Sequence, residues 1–379
     1  MSSTDEPTPS PAELPSSLGY RLPAEWEPHE ATWIAWPRNK EDWPGKFGPI
    51  RWVYAEIVRY LSRSERVRIL VGSGKAERRA ADALEKSGVD PDRVEFVRHR
   101  TDRGWLRDSG PMFVVRDRSH GAEGEPPPVA LVDWKFNAWA KYDNWTRDNR
   151  LPRFVADRLG MTRWAPRTTI EQESRRVVLE GGAVDVNGLG TLITTEECLL
   201  SHEQERNPGL DRAGYEQLLR DYLGASKVIW LGRGIVGDDT HGHVDDIARF
   251  VDETTVVACV EENEGDPNHG PLRENLERLR EATDQDHRPL RVVELPMPAP
   301  VVFDGQRIPA SYANFYVANS VVLVPTFNDP KDRVALGILA DLFPGRVVVG
   351  IHAVELVWGL GTLHCLTRDQ PKGPEPSAG

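Results

Sequence analysis

Apolar and polar positions follow a repeating order along the chain. Short runs rich in β-branched and apolar residues come in pairs, and each pair is followed by an amphipathic stretch and then by another apolar run. Within the amphipathic stretches, apolar residues recur at helical spacing, as do Leu272, Leu276 and Leu279. This spacing places them on one face of a helix. The pattern therefore predicts repeated units in the order strand, strand, helix, strand.

Five stretches fit this order at a spacing of roughly 65–70 residues, and a fixed spacing is the signature of repeat architectures. They comprise runs 32–36 and 67–71 around helix 50–62; runs 113–115 and 129–134 before helix 147–159; runs 177–186, 191–194 and 228–231 around helix 211–223; runs 247–251, 255–260 and 291–295 around helix 272–283; and runs 315–318, 321–324 and 347–351 around helix 331–342. Five copies indicate an α/β fold with a ring of ββαβ units around a central axis. An ordinary open α/β sheet is the alternative.

The two ends of the chain differ from the rest in composition. Residues 1–18 are rich in Ser, Pro and Glu, and residues 372–379 are similar. Such segments bury too little apolar surface to fold, so we expect two disordered tails. The polar, proline-rich segment 121–128 lies between two apolar runs and is interpreted as a hairpin connection. Residues 19–371 are therefore predicted to form a single domain.

Composition and charge narrow the classes of function. Hydrophobic residues make up 39% and charged residues 28% of the chain, which is ordinary for a globular protein. The net charge of -12 opposes binding to nucleic acid or to an anionic membrane, and it favours attraction of a cationic small molecule. No apolar run is long enough to span a bilayer, and the first residues lack the features of a signal peptide. Cys198, Cys259 and Cys365 are odd in number and widely spaced, so we expect a reducing, cytoplasmic setting without a disulfide framework.

The first segment with candidate chemistry is 104–111. Asp108 is expected in a polar turn just before the apolar run 113–115. An aspartate in such a turn usually satisfies backbone N–H groups. In a functional role it would direct a carboxylate into a pocket, with Trp105 as a flat apolar wall.

A second candidate carboxylate, Glu180, ends an apolar run and is followed by Gly181 and Gly182. A charged residue at the end of a buried strand needs a partner or a ligand. The two glycines leave space beside it. This signal alone does not distinguish an ion pair from a binding site.

The third segment, 238–246, contains six ionisable residues among nine. Two chemistries compete here. His241, His243 and Asp245 resemble part of the metal site of metallo-β-lactamase-like hydrolases, so a metal-dependent hydrolase is one alternative. In the other, His243 is a general acid/base, and Asp245, two residues along a strand and on the same face, is a charged ligand group.

Cys365 lies in the best-marked local context of the three cysteines. Gly359 and Gly361 precede it, so the backbone can turn tightly or approach a ligand closely. A cysteine just after such a bend is a candidate exposed nucleophile. The alternative is a buried cysteine that acts as a small apolar residue.

Together these segments supply one cysteine, one histidine and two or three carboxylates. A guanidinium is a planar cation with five N–H donors, so two carboxylates can bind it bidentately. A thiolate can attack its central carbon, and a histidine can protonate the departing ammonia and then activate a water. A cysteine protease would pair its Cys–His with a single orienting group and an oxyanion hole. The number of carboxylates favours a cationic substrate.

The motifs, in their order, resemble those of agmatine deiminases and the bacterial peptidylarginine-deiminase-type proteins grouped with them, over nearly the whole of 19–371. They are PAEWEPH (23–29), WLRDSGP (105–111), WKFNAW (134–139), LEGG (179–182), GHVD (242–245), SYANFY (311–316) and HCLT (364–367). The resemblance implies the fold of the guanidine-modifying superfamily, a five-bladed pseudo-symmetric α/β propeller. It also implies a single catalytic domain that works without a cofactor or metal.

The resemblance assigns roles as well. It implies that Cys365 is the nucleophile, His243 the acid/base, and Asp108 and Asp245 the guanidinium ligands. Glu180 falls at the family's Glu-Gly-Gly position and is expected to support His243 or the guanidinium. The implied reaction is hydrolysis of agmatine to N-carbamoylputrescine and ammonia through a Cys-linked amidino intermediate. Deimination of free or peptidyl arginine is the alternative, and a homo-oligomer is compatible with the sequence.

Two departures from the family pattern bear on the substrate. Better-known agmatine deiminases carry Gly-Gly-Gly-Asn-Ile where this chain has Gly359-Leu360-Gly361-Thr362-Leu363, and they often carry Asp where it has His241. Neither departure touches an assigned catalytic position. Leu360 and Thr362 are expected to reshape the pocket, and His241 is either a pocket residue or a support with no catalytic part.

Overall fold

The computed structural model describes residues 13–116 and 126–373. Five of its small sheets share one arrangement. In each, a first strand pairs antiparallel with a second, and a third strand lies parallel to the second. An α-helix lies between the second and third strands. The order strand, strand, helix, strand that the sequence predicts is therefore confirmed.

Four of these units are continuous in sequence and follow one another along the chain. Units two to five consist of Met112–Arg116, Val129–Val132, helix Leu151–Leu159 and Arg163–Trp164; of Asp185–Val186, Thr191–Thr195, helices Glu196–Leu200 and Arg212–Leu223, and Lys227–Leu231; of Ala248–Phe250, Thr255–Val260, helix His269–Glu281 and Arg291–Pro296; and of Tyr316–Val317, Val321–Thr326, helix Lys331–Leu342 and Val347–His352.

The first unit joins the two ends of the chain. Its first strand is the C-terminal Arg368–Pro371, which pairs antiparallel with His29–Ala35. Helix Phe47–Leu61 then leads to Arg66–Val71, parallel to the second strand. Helix Gly74–Lys86 adds a fourth strand, Val94–Arg98, in the same parallel direction. The predicted first stretch has no opening strand of its own because the other end of the chain supplies it.

The helices bury the apolar faces that their sequences predict. In helix His269–Glu281, Leu272, Leu276 and Leu279 are all buried. Helix Arg212–Leu223 begins after Asp211, whose side chain accepts a hydrogen bond from Gly214 N–H, and it ends at Gly224 with φ of 71°. Among the described residues, no helix combines the length and apolar character that crossing a membrane would require.

Shorter elements connect the units. They are strand Tyr20–Arg21, paired with Met112–Arg116; hairpins Arg167–Ile170/Glu173–Arg176 and Val302–Phe303/Gln306–Arg307; α-helical turns Leu106–Ser109 and Leu363–Leu366; and 3-10 turns Ser16–Leu18, Pro91–Arg93, Asp148–Arg150, Gly181–Ala183, Val244–Asp246 and Val357–Gly359.

Some predicted boundaries are wrong. Residues 13–18 do not fit the disordered tail expected over 1–18, because Ser16–Leu18 forms a turn and the Trp164 indole N–H donates to Glu13 O. The other residues of that predicted tail, 1–12, and residues 374–379 of the predicted C-terminal tail lie outside the described residues. The predicted strand 177–186 is reduced to Asp185–Val186, since Gly181–Ala183 folds as a 3-10 turn. Residues 117–125, and so most of the connection predicted at 121–128, lie outside the described residues. The strands on either side of it do pair antiparallel.

Candidate active site

Five short segments, each just before the first strand of a unit, meet at one place. They are Leu106–Ser109, Gly181–Ala183, Val244–Asp246, residue Asn314 and Leu363–Leu366. Gly182 N–H donates to Asp108 Oδ1 at 3.0 Å, which joins the first two. Asn314 Nδ2 donates to Cys365 Sγ at 3.2 Å, which joins the last two. The structure therefore brings together all the predicted site residues.

Cys365 is only 5% exposed, but it lines a cavity. Its Sγ lies 3.8 Å from Asp245 Oδ2. Burial, and after it the charges of Asp245, Asp246 and Asp108, raises the pKa of the Cys365 thiol well above its ordinary value. The predicted exposed position is thus wrong, because the side chain is buried with a face toward the cavity. A cation bound beside it would offset the carboxylates and favour the thiolate.

His243 is fully buried among three carboxylates. Its Nδ1 lies 3.7 Å from Asp108 Oδ1 and 3.9 Å from Asp245 Oδ1, and its Nε2 lies 3.8 Å from Glu180 Oε2. Burial opposes a charge on the ring. The charge of Asp108 and the neighbouring Cys198 and Glu180 outweigh burial and hold the pKa of His243 well above its ordinary value. The imidazolium is therefore favoured, and it can donate a proton.

The sequence predicts that His243 and Asp245 lie along a strand. This prediction is wrong. The segment is folded by Asp238, whose Oδ2 accepts from Gly242 N–H at 2.8 Å and from His243 N–H at 3.0 Å. A 3-10 turn, Val244–Asp246, follows, and the strand starts only at Ala248. The two side chains still converge because the turn folds back on itself.

Asp108 lies in helix Leu106–Ser109 rather than in the predicted polar turn, and it is buried. Its Oδ1 accepts from Gly182 N–H and its Oδ2 accepts from Trp139 Nε1, each at 3.0 Å. Burial raises the pKa of Asp108, and the charge of His243 opposes that rise. The carboxylate is thus held rigidly against the imidazole.

Asp245 is bonded on one oxygen and open on the other. His364 Nδ1 lies 2.6 Å from Asp245 Oδ2, and His364 Nε2 lies 2.8 Å from Glu25 Oε2. Asp245 Oδ1 is buried and has no hydrogen-bond partner in the described part of the chain. Burial raises the pKa of Asp245, but His364 and His243 outweigh it, so that the pKa is lowered. An anionic oxygen is therefore left unpaired 3.9 Å from His243 Nδ1, among the described residues.

Glu180 supports the opposite side of the imidazole. Its Oε1 accepts from Arg206 Nε at 3.1 Å, and Arg206 also donates to the Thr240 carbonyl. Burial alone would raise the pKa of Glu180, but Arg206 and His243 lower it to about 2. Its Oε2 faces His243 and has no partner among the described residues.

Gly182 and Gly361 have no side chains, and this leaves space beside the predicted site residues. A Cβ on Gly182 would lie 2.5 Å from His243 Nδ1, 2.9 Å from Asp108 Oδ1 and 3.0 Å from Asp245 Oδ2. A Cβ on Gly361 would lie 2.9 Å from the Trp105 ring and 3.2 Å from the Sγ of the cysteine. Neither position has room for a side chain without displacing a predicted site residue.

The cavity in front of Cys365 has a volume of about 170 Å³. Trp105 and Trp139 form flat walls near the thiol, in agreement with the wall predicted for Trp105. Among the residues that the structure describes, the charged lining residues are the carboxylates Glu41, Asp42, Asp108 and Asp239 and one cation, Arg103. Arg103 Nη1 donates to Asp42 Oδ1 at 3.2 Å. The cavity is therefore suited to a cation.

One group of side chains in the described residues could hold a metal ion. The ligand atoms of Glu180, Cys198 and His243 lie within 4.8 Å of one another, and such a set of donors suits Zn²⁺. His241 is not part of it, since its Nε2 lies 3.1 Å from Ser201 Oγ. The described residues therefore do not form the alternative metal site of His241, His243 and Asp245, because His241 does not join the other two.

Comparison with known proteins accounts for this arrangement. The model of the Porphyromonas-type peptidyl-arginine deiminase family matches residues 21–371. The chain belongs to this family. It is 35% identical to an agmatine deiminase of Pseudomonas aeruginosa (strain LESB58) over 96% of this chain and 98% of that protein. It is 34% identical to one of Ectopseudomonas mendocina over 94% of this chain and 97% of that protein.

Solved structures with this α/β fold include two agmatine deiminases. The enzyme of Enterococcus faecalis superposes with a TM-score of 0.84 at 30% identity, over 97% of this chain and all of that one. A cysteine-to-serine variant of the C. jejuni enzyme with substrate bound superposes with a TM-score of 0.80 at 26% identity, over 94% and 97% of the two chains.

In this member of the deiminase family, the three residues that depart from the family pattern differ in their relation to the cavity. Leu360 lines the cavity and has φ of 69°, a left-handed conformation that favours glycine. Thr362 is buried, and its Oγ1 donates to Asn314 Oδ1 at 2.7 Å. His241 also has a positive φ, of 66°, and it does not line the cavity.

The sequence does not single out five residues of this deiminase site. They are Glu25, Cys198, Arg206, Asn314 and His364; the last four contact a predicted site residue, and Glu25 contacts His364. Glu25, Asn314 and His364 lie within recognised family motifs, which was the available signal. Cys198 and Arg206 lie outside those motifs, and only the fold brings them to His243 and Glu180.

Proposed function

We propose that this chain hydrolyses agmatine to N-carbamoylputrescine and ammonia, with Cys365 as the nucleophile. The observation that carries the proposal is a buried thiol at the end of an acidic cavity, beside a histidine held among three carboxylates. The relatives named agmatine deiminase support it, since the chain covers nearly their whole length. The enzyme is then a hydrolase of C–N bonds in linear amidines.

In the first half-reaction, Asp108 and Asp245 bind the guanidinium by charge-assisted hydrogen bonds. The bound cation lowers the cost of ionising Cys365, which loses its proton to solvent, and the thiolate attacks the central guanidinium carbon. A C–S bond forms, and His243 gives a proton to the departing nitrogen, which leaves as ammonia. The product of this step is an amidino group linked to sulfur.

In the second half-reaction, His243, now neutral, takes a proton from a water that attacks the same carbon. The C–S bond breaks, the second proton of the water restores the thiol, and the product leaves as a substituted urea. Glu180, anchored by Arg206, stabilises the imidazolium form that is needed twice in each cycle. Trp105 packs as an apolar wall beside the reacting carbon.

The charges that line the cavity support agmatine rather than arginine as the substrate. Agmatine carries an ammonium at the end away from the guanidinium, where arginine carries a carboxylate as well. Glu41, Asp42 and Asp239 line the cavity together with Asp108, and Arg103 is engaged by Asp42. Carboxylates at the mouth attract the ammonium and repel the carboxylate of free arginine. Free or peptidyl arginine is therefore the second candidate.

The test is ammonia release from agmatine, free arginine and a peptidyl arginine, measured side by side. We expect kcat/KM to be highest for agmatine. Glu41→Gln should reduce that preference, since it removes a charge at the mouth, whereas Glu30→Gln on an exposed strand position should not. Higher kcat/KM for either arginine substrate would reject agmatine as the substrate while keeping deimination.

We also propose a finer description of the fold and its setting. The five sheets of like topology support a five-bladed α/β propeller formed by one catalytic domain, 19–371. The unpaired state of all three cysteines supports a reducing, cytoplasmic setting. A small-angle scattering profile that fits two separate bodies would contradict the single domain.

A further inference from the structure

A second cavity, of about 440 Å³, lies behind Glu180 and is lined by cations. Its charged lining residues are Lys135, Arg167, Arg175, Arg176 and Arg206, with no carboxylate among the lining residues that the structure describes. We call it the basic cavity. A positive cavity stands out in a chain with a net charge of -12.

Like charges are placed directly opposite one another at this cavity. Arg167 and Arg176 are cross-strand partners in the hairpin Arg167–Ile170/Glu173–Arg176. Like charges in that position destabilise a hairpin. Both side chains line the basic cavity, so an anion there would lie beside two guanidinium groups.

Two of these cations retain donors for a ligand. Lys135 is half-buried and has no carboxylate within 4.0 Å among the described residues; its Nζ lies only over the Trp145 ring, 5.8 Å from the centroid. Arg176 donates from Nη2 to Asp133, but its buried Nε has no partner in the described part of the chain. A buried donor without an acceptor is costly, and a bound anion would satisfy it.

The remaining walls are suited to an organic group. Ile170, Val178 and Pro208 provide apolar surface, and Asn137 and Asn149 provide amide groups. The volume falls in the range of ligand pockets, roughly 300–1,000 Å³, and exceeds what a bare phosphate fills.

We propose that the basic cavity binds a small organophosphate, with its phosphate group at Lys135 and Arg176. A phosphate carries about two negative charges and three acceptor oxygens, which match an ammonium and a guanidinium better than a single carboxylate does. The proposal is independent of the reaction at Cys365. Arg206 lines this cavity and also donates a hydrogen bond to Glu180. A bound ligand would therefore be separated from Glu180 of the active site by the Arg206 side chain.

The test is isothermal titration calorimetry of the full chain with three probes at fixed ionic strength: inorganic phosphate, adenosine 5′-monophosphate and succinate. We expect the nucleotide to bind most tightly and succinate most weakly. Lys135→Met should weaken nucleotide binding at least ~10-fold, as loss of a charge-assisted bond does. Lys75→Met, at an exposed lysine on helix Gly74–Lys86, is the matched control and should bind as the wild type does.

Arg176→Met is the second variant, should Lys135→Met fail to fold, and it should weaken binding in the same way because it removes the other proposed phosphate ligand. Absence of nucleotide binding to the wild type would overturn the proposal. Equal weakening in Lys75→Met would overturn it too, because binding would then reflect overall charge. Succinate binding as tightly as the nucleotide would reject the phosphate assignment.

Discussion

Space around the reacting groups matters as much as charge at the scale of single residues. Gly182 donates its N–H to Asp108 while its missing side chain leaves room beside His243. Its φ is not positive, so an alanine is permitted by the backbone and excluded only by neighbours. The double glycine after Glu180 is thus explained by contacts rather than by turn conformation.

Gly182→Ala should therefore lower turnover about 100-fold without unfolding the protein. The new Cβ would displace His243 and Asp108, and a shift of about 1 Å in such groups costs about 100-fold in rate. Agmatine kcat/KM and thermal melting are the measurements. Gly337→Ala, in a helix where a Cβ meets nothing within 4 Å, should keep full activity and melt no lower. Near-normal turnover in Gly182→Ala would show that the site accommodates a Cβ at this position, and it would contradict the steric role of Gly182.

The thiol of Cys365 should be largely protonated at neutral pH when no substrate is bound. Burial and three carboxylates raise its pKa, so the thiolate gains population only as pH rises above the ordinary range for cysteine. Asp108→Asn removes one of these charges and should shift the pH profile of iodoacetamide labelling to lower pH. It should also lose turnover, since it removes a guanidinium ligand. Lost turnover with an unchanged labelling profile would leave Asp108 a ligand only.

The residues that the sequence predicts at this scale are those with dense local signals. Cys365 follows two glycines, and His243 and Asp245 lie among other ionisable residues. Cys198 and Arg206 have no such context, because their relation to His243 and Glu180 exists only in the folded chain. Long-range contacts of that kind leave no mark on sequence spacing.

At the scale of elements, the site is built from turns that precede the first strands of the units. Asn314 is the contribution of the fifth unit. Its Oδ1 accepts from Thr362 Oγ1 at 2.7 Å and from His364 N–H at 3.2 Å, and its Nδ2 donates to Cys365 Sγ. One amide therefore both anchors the start of helix Leu363–Leu366 and positions the thiol.

Asn314→Ala should lose about 1–3 kcal/mol of unfolding free energy, because buried groups are left without partners. It should also lower kcat about 10- to 100-fold by releasing the thiol. Asn319→Ala is the matched control, because Asn319 Oδ1 accepts from His29 N–H and its Nδ2 donates to His29 O, and neither bond involves a predicted site residue. We expect a comparable loss of stability with normal kcat there. Equal kcat in both variants would reduce Asn314 to a structural role.

The sequence predicts helices and long strands well, and it fails where a short turn interrupts an apolar run. The run 177–186 reads as a strand because its residues are apolar, but Gly181 and Gly182 fold as a 3-10 turn bonded to Asp108. At His243, the two backbone bonds from Asp238 have the same effect. Tertiary contacts and backbone capping outweigh local propensity at these places.

At the scale of the whole molecule, the chain closes on itself. Arg368–Pro371 supplies the first strand of the first unit, and Gln370 Oε1 accepts from Trp33 Nε1 at 2.9 Å. Arg107 Nη1 donates to Asp369 Oδ1 at 2.8 Å, which ties the same strand to the second unit. No periodicity could show this pairing, since its partners lie at opposite ends of the sequence.

Truncation separates this closing strand from the tail beyond it. A chain ending at Thr367 should lose cooperative folding, because the partner strand His29–Ala35 is left with an unpaired edge and the ion pair of Asp369 is lost. A chain ending at Gly373 keeps every described contact and should melt as the full chain does. Circular dichroism melting of both chains is the measurement. A cooperative, wild-type melt of the shorter chain would contradict the closure.

The most direct test of the whole account is the covalent intermediate. His243→Gln should allow slow attack by Cys365 but leave no base to activate water, so the intermediate should accumulate. Mass spectrometry of this variant after mixing with agmatine, followed by peptide mapping, should find the mass of agmatine less ammonia on Cys365. The same treatment of Cys365→Ala should find no adduct. An adduct on another residue, or full turnover by either variant, would contradict the mechanism.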